Sequence, residues 1–121
     1  MGSYRVGEFS EIPDGGRIIA SIPGHSVAVF RLGDRLVALE NMCKHQGGPA
    51  CEGIVVPAHM ASADSRGSVK EFLDPTRPVV ACPWHGWEYD LNTGTCLADP
   101  SIALRSFAVR VDGDSIYVDE D

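Results

Sequence analysis

Several things are scarce in this chain of 121 residues, and each scarcity narrows the reading. No apolar run approaches the length needed to cross a membrane as a helix. The start, Met1-Gly2-Ser3-Tyr4-Arg5-Val6, has no basic-then-apolar leader pattern, and position six lacks the Ser or Thr of a myristoylation signal. These readings predict a cytoplasmic or similarly reducing location, with no membrane partner. Basic residues are outnumbered 10 to 17, for a net charge of −7. That excludes nucleic acid as a partner, since its backbone needs a basic face. The acidic balance, concentrated at Asp112, Asp114, Asp119, Glu120 and Asp121, reads first as solubility, the alternative being steering toward a basic patch on a partner protein. Helical periodicity is almost missing, which excludes a helical bundle. Only four cysteines and four histidines are present, so any metal site must draw on a short list.

What remains is strand and turn chemistry. Tyr4, Val6 and Phe9 mark an opening strand, and Arg17 to Ile22 a second, stopped by Pro23-Gly24. Val27 to Leu32 pairs with Leu36 to Leu39 across Gly33-Asp34, a Gly-first two-residue hairpin. Ile54 to Val56 and Val79 to Ala81 are further short strands. Trp87 to Leu91 turns at Asn92-Thr93-Gly94 towards Thr95-Cys96-Leu97. A last hairpin joins Leu104–Val111 to Ser115–Val118 around Asp112-Gly113-Asp114. Such spacing predicts one all-β domain over residues 1–121. Residues 57–78, rich in Pro, Ser, Asp and Gly, show weak periodicity and read as a long irregular segment on the surface.

Two loops carry the chemistry. One holds Cys43-Lys44-His45-Gln46-Gly47-Gly48-Pro49 and the other Cys82-Pro83-Trp84-His85-Gly86-Trp87. Each offers one sulfur and one imidazole. Two thiolates and two imidazoles suit zinc or an iron–sulfur centre. A common zinc finger pairs cysteine with cysteine and histidine with histidine, whereas here each loop supplies one of each. A binuclear cluster explains the mixture, with both sulfurs on one iron and both imidazoles on the other. The candidate metal ligands are therefore Cys43, His45, Cys82 and His85. His25, after a Pro-Gly turn, and His59 read as plain surface residues.

At these residues the chain resembles the Rieske family. Cys82-Pro83-Trp84-His85-Gly86-Trp87-Glu88-Tyr89-Asp90 is similar to that family's second cluster loop, and Cys43 to Pro49 to its first. The resemblance implies an antiparallel β-sandwich or barrel-like base bearing a small cluster-binding subdomain, about residues 41–97, with residues 57–78 as an insertion. It implies one Rieske-type [2Fe-2S] cluster per chain, cradled by Gly48, Pro49, Trp84, Gly86, Trp87 and Tyr89. Gly48 and Trp84 stand where the respiratory members have a disulfide, so that bridge is absent and Cys51 and Cys96 are expected to be reduced, partly buried thiols. Trp87 stands where those members place a serine hydroxyl near a bridging sulfide. Tyr89 matches the tyrosine that donates its hydroxyl to a cysteine sulfur, here Cys43. One donor lost and one kept predicts a potential in the lower part of the Rieske range of about −150 to +300 mV.

The implied function is a soluble one-electron carrier, not a catalyst, between a flavin- or NAD(P)H-dependent reductase and a terminal oxygenase. The second reading is the small Rieske subunit of an assimilatory nitrite reductase, and a structural zinc module is a distant third. An oxygenase's own iron site needs two histidines and a carboxylate, for which only His25 and His59 remain.

Overall fold

The computed structural model describes residues 2–42, 48–63, 65–83 and 86–120, and among them the regular structure is β-strand with two short 3-10 turns. Among these residues nine strands form two antiparallel sheets. The larger has the order β1-β9-β8-β4-β3-β2, with β1 Gly2–Glu8, β2 Arg17–Ile22, β3 His25–Leu32, β4 Arg35–Glu40, β8 Ser106–Asp112 and β9 Ser115–Glu120. Its two end strands, β1 and β2, come back into contact, so the sheet curls into a nearly closed barrel. The smaller sheet has the order β5-β6-β7, with β5 Val55–Ala63, β6 Val69–Ala81 and β7 Glu88–Asp90.

The turns behave as their residues dictate. Gly33-Asp34 and Gly113-Asp114 each close a two-residue hairpin, with Leu32 opposite Arg35 and Asp112 opposite Ser115. Both glycines sit at positive φ, +69° and +65°, a region in which a side chain is strained.

The run Val27-Ala28-Val29-Phe30 is apolar without alternation because β3 is covered on both faces. Val27 and Val29 point into the barrel with Ile12, Ile22, Ala38, Phe107, Ile116 and Val118. Ala28 and Phe30 point the other way, into a second core with Leu39, Cys51, Val80, Cys82, Tyr89, Leu91, Cys96 and Leu104. Successive side chains of a strand face opposite ways, so one strand welds the base to the smaller sheet. Each fully buried large side chain in these cores stabilises the fold by about 1.5–3 kcal/mol.

One expectation changes and another is refined. Residues 57–78 are not irregular: they supply most of a long ladder in which Ala58–Ala63 pairs with Val69–Asp74. Thr95-Cys96-Leu97 does return antiparallel beside β7 as expected, but as an isolated bridge of Tyr89 to Cys96 and not a full strand, with the Asp90 N–H donating to the Thr95 carbonyl at 2.8 Å and the Leu97 N–H to the Glu88 carbonyl at 2.9 Å.

His25 is also not a plain surface residue. Its ring is mostly covered, with Nδ1 2.8 Å from Glu40 Oε2 and Nε2 2.7 Å from Glu120 Oε2. Its edge packs on Phe107 with ring centroids 5.4 Å apart. The imidazole thus ties β3 to β4 and to the end of β9. Replacing His25 with alanine strips a partner from the buried Glu40 carboxylate, at an expected cost of about 1–3 kcal/mol. Denaturant midpoints of the two proteins check this. His59 conforms to expectation: it is exposed, with the Glu71 carboxylate 3.9 Å away.

Candidate metal centre

The second motif loop begins where β6 ends. Cys82 is 1% exposed, at the edge of the core shared by the two sheets. Its N–H donates to the Trp87 carbonyl at 2.8 Å, and its own carbonyl accepts from the Gly86 N–H at 2.8 Å. These bonds close the loop into a compact turn. Gly86 takes φ +71° to complete it, with nothing near the place a Cβ would occupy. The glycine is thus required for conformation, not for space. Trp87 packs partly buried against the same core. Tyr89 follows on β7, opposite Val80 and fully buried.

The first loop is held at both ends by one side chain. Asn41 is buried; its N–H donates to the Ser26 carbonyl at 2.8 Å. Its Oδ1 accepts from the Cys51 N–H at 2.8 Å, and its Nδ2 donates to Glu52 Oε2 at 2.8 Å. The chain enters the loop at Asn41 and leaves it at Cys51, so this amide fixes the span that the loop must cross. Gly48 is buried and Pro49 half-buried. The Ala50 N–H donates to the Gly48 carbonyl, and a 3-10 turn, Ala50–Glu52, follows.

The two loops are joined behind the site. At Gly53 an added Cβ would lie 1.5 Å from the Ala81 carbonyl oxygen and 2.7 Å from its carbonyl carbon. The Ala81 N–H donates to the Ile54 carbonyl at 3.0 Å. The Arg17 guanidinium, reaching from β2, donates to the carbonyls of Gly53 and Glu52. Thus the exit of the first loop abuts the residue that precedes Cys82. Neither Asn41, Gly53 nor Arg17 was singled out by the sequence. A glycine a few residues beyond a ligand loop hints at close backbone approach, but its partner is 28 residues away and only the fold shows it.

Cys51 lies fully buried beneath this junction, its thiol 3.7 Å from the Glu40 carbonyl. Burial pushes the thiol pKa up to about 12, against a smaller lowering by Arg17. It is a neutral thiol at any ordinary pH, unsuited to be a ligand. Cys51 and Cys96 are both free and buried, as expected of the two cysteines outside the motifs.

Of the sequence-predicted site residues, Cys82, Trp87 and Tyr89 share one core, Gly86 is hydrogen-bonded to Cys82, and Gly48 and Pro49 lead into the 3-10 turn whose Ala50 and Cys51 join that core. Cys43, His45, Trp84 and His85 lie outside the described residues. The donor set of the two loops, two sulfurs and two imidazoles, together with flanks that converge at Gly53 and Ala81, fits a binuclear iron–sulfur group. A β-barrel base carrying a three-stranded sheet whose loops hold such a set defines an iron–sulfur electron-transfer protein.

Comparison with known proteins gives the particular family. The model of the Rieske-like [2Fe-2S] domain matches residues 4–119, and the chain belongs to that family. Its cofactor is accordingly the Rieske [2Fe-2S] cluster. Among relatives, it is 31% identical to an anthranilate 1,2-dioxygenase ferredoxin subunit from Burkholderia cepacia, over 64% of this chain and 75% of that one. Among solved structures it resembles the ferredoxin of carbazole 1,9a-dioxygenase from Nocardioides aromaticivorans, with a TM-score of 0.70, 24% identity, and 98% and 97% of the two chains covered. It also resembles the nitrite reductase NAD(P)H small subunit from Erwinia carotovora, with a TM-score of 0.64, 22% identity, and 98% and 84% coverage. These two structural likenesses speak for the fold.

Proposed function

We propose that the chain is a one-electron carrier that accepts from a flavin- or NAD(P)H-dependent reductase and delivers to a terminal oxygenase. In this reading Cys43 and Cys82 would hold one iron of the cluster, and His45 and His85 the other. The bound cluster supplies a one-electron couple; the protein's part is to hold it and tune it. Gly86 and the Asn41 bridge set the loops. Trp87 and the buried core behind Cys82 keep water from the sulfur side. Tyr89 supplies a hydroxyl donor beside it. The observation that carries the proposal is the Gly53–Ala81 junction, which supports the two loops as one unit at a single end of the sheet. The choice of an oxygenase over nitrite reductase rests on the dioxygenase ferredoxin relative.

Reconstitution tests it. With a dioxygenase reductase and a ferredoxin-depleted oxygenase, the loaded protein should restore NAD(P)H-dependent product formation. Restored turnover of a nitrite reductase large subunit instead would overturn the assignment of partner.

The potential tests the tuning. It is expected in the lower part of the Rieske range by protein-film voltammetry, and a value above about +150 mV would contradict this. Tyr89→Phe removes a donor to a charged sulfur. If that bond favours the reduced state by about 1 kcal/mol, the potential falls by about 40 mV. An unchanged potential would remove Tyr89 from the set of tuning groups.

A further inference from the structure

The β5–β6 ladder runs well past the sheet it belongs to. β7 pairs with β6 only at Val79–Ala81, and the Asn92 side chain and the Leu91 N–H reach the same edge at Thr76 and Pro78. From Val69 to Asp74 the outer edge of β6 has no strand partner among the described residues. That stretch exposes three apolar side chains among its charges: Val69 at 67%, Phe72 at 45%, Leu73 at 62%. An exposed apolar edge is a ready template for another strand.

Charge says which strand. Within residues 57–78, Arg66, Lys70 and Arg77 balance Asp64, Glu71 and Asp74, so the arm is neutral while the rest of the chain carries the whole −7. Two acidic bodies repel; their arms do not. The edge is also complementary to itself. A two-fold axis normal to a sheet pairs only residues that face the same side, so the axis must fall on a residue. Centring on Lys70, Glu71 or Asp74 sets like charges opposite each other, and centring on Val69 or Leu73 pairs no opposite charges. Centring on Phe72 sets Lys70 opposite the second copy's Asp74, Phe72 against Phe72, and Asp74 opposite Lys70.

We infer that a second copy of this chain docks on the outer edge of β6, giving a symmetric dimer with its two-fold at Phe72 and a continuous sheet β5-β6 of one copy and β6-β5 of the other. Phe72 pairs with Met60, five residues along β5 from the Val55–Val80 pair. At about 3.3 Å per residue, and with Cys82 two residues beyond that pair, the axis lies roughly 20–25 Å from the Cys82 end. Dimerisation therefore leaves that end open to a redox partner.

Sedimentation velocity of the cluster-loaded protein over a wide concentration range tests this. The expected result is a reversible monomer–dimer equilibrium. Lys70→Glu should weaken it by about tenfold, since two attractive cross-strand pairs become repulsive. The double exchange of Lys70→Glu with Asp74→Lys should restore it. An unchanged visible spectrum verifies that each variant is intact. Asp74 also accepts from the backbone and hydroxyl of Thr76, so Phe72→Cys gives an independent check. Mild oxidation should cross-link it into a covalent dimer, whereas Val69→Cys, opposite Pro75 in this register, should not cross-link. A protein that stays monomeric throughout, association indifferent to Lys70→Glu, or a Phe72→Cys variant that does not cross-link would overturn the inference.

Discussion

Gly53→Ala is expected to leave most of the protein without its cluster. The residue's φ of −79° is open to any amino acid, so the constraint is space alone. The new methyl would meet the Ala81 carbonyl oxygen at 1.5 Å. The group it meets is backbone and a methyl on Cα has no rotamer, so no side-chain rotation can relieve the clash. Either the first loop's exit or the residue before Cys82 must shift, and with it one ligand relative to the others. Overpacking of this kind costs about 3 kcal/mol or more, which lowers the unfolding midpoint of a chain this size by about 10 °C or more. Iron per chain and the visible absorption should both fall by more than half. Gly15→Ala is the control. Gly15 has φ +80° and nothing within reach of an added Cβ, so it should lose about 1 kcal/mol and keep its colour. Full iron content in Gly53→Ala would mean that the junction behind the loops does not set their spacing.

The second large effect comes from the imidazoles. His45→Ala and His85→Ala are each expected to abolish the visible spectrum, with a loss in cluster affinity beyond the ten- to hundredfold typical of groups that only support a ligand. Cys82→Ser should do the same, replacing a buried sulfur beside Cys51 and Tyr89 with a hydroxyl. By contrast His59→Ala, at an exposed site on the arm, should change nothing in the spectrum. An intact spectrum in either ligand variant would refute the proposed ligand set.

Much of this was readable before any fold was known, for physical reasons. The hairpin at Gly33-Asp34 is announced by a glycine at the position that needs positive φ. The unbroken apolar run at Val27–Phe30 marks a strand buried on both faces. The cluster loops are legible because ligand type and spacing are local. The arm was hidden because Pro57, Pro75 and Pro78 look like strand breakers. Proline is tolerated at an edge, and here Pro57 and Pro78 pair with each other beside a bulge. His25 was misjudged because its two carboxylate partners lie 15 and 95 residues away. Asn41 and Gly53 escaped notice for the same reason: what they touch is set by the meeting of the two sheets.

The claim on which the rest depends is that two inequivalent irons sit between the loops, one held by sulfur alone and the other by sulfide and imidazole. Mössbauer spectroscopy of the oxidised, iron-57-labelled protein addresses it directly. The account predicts two quadrupole doublets of equal area with distinct isomer shifts. A single doublet from two like irons, a mononuclear spectrum, or a colourless protein holding zinc in place of iron would contradict it.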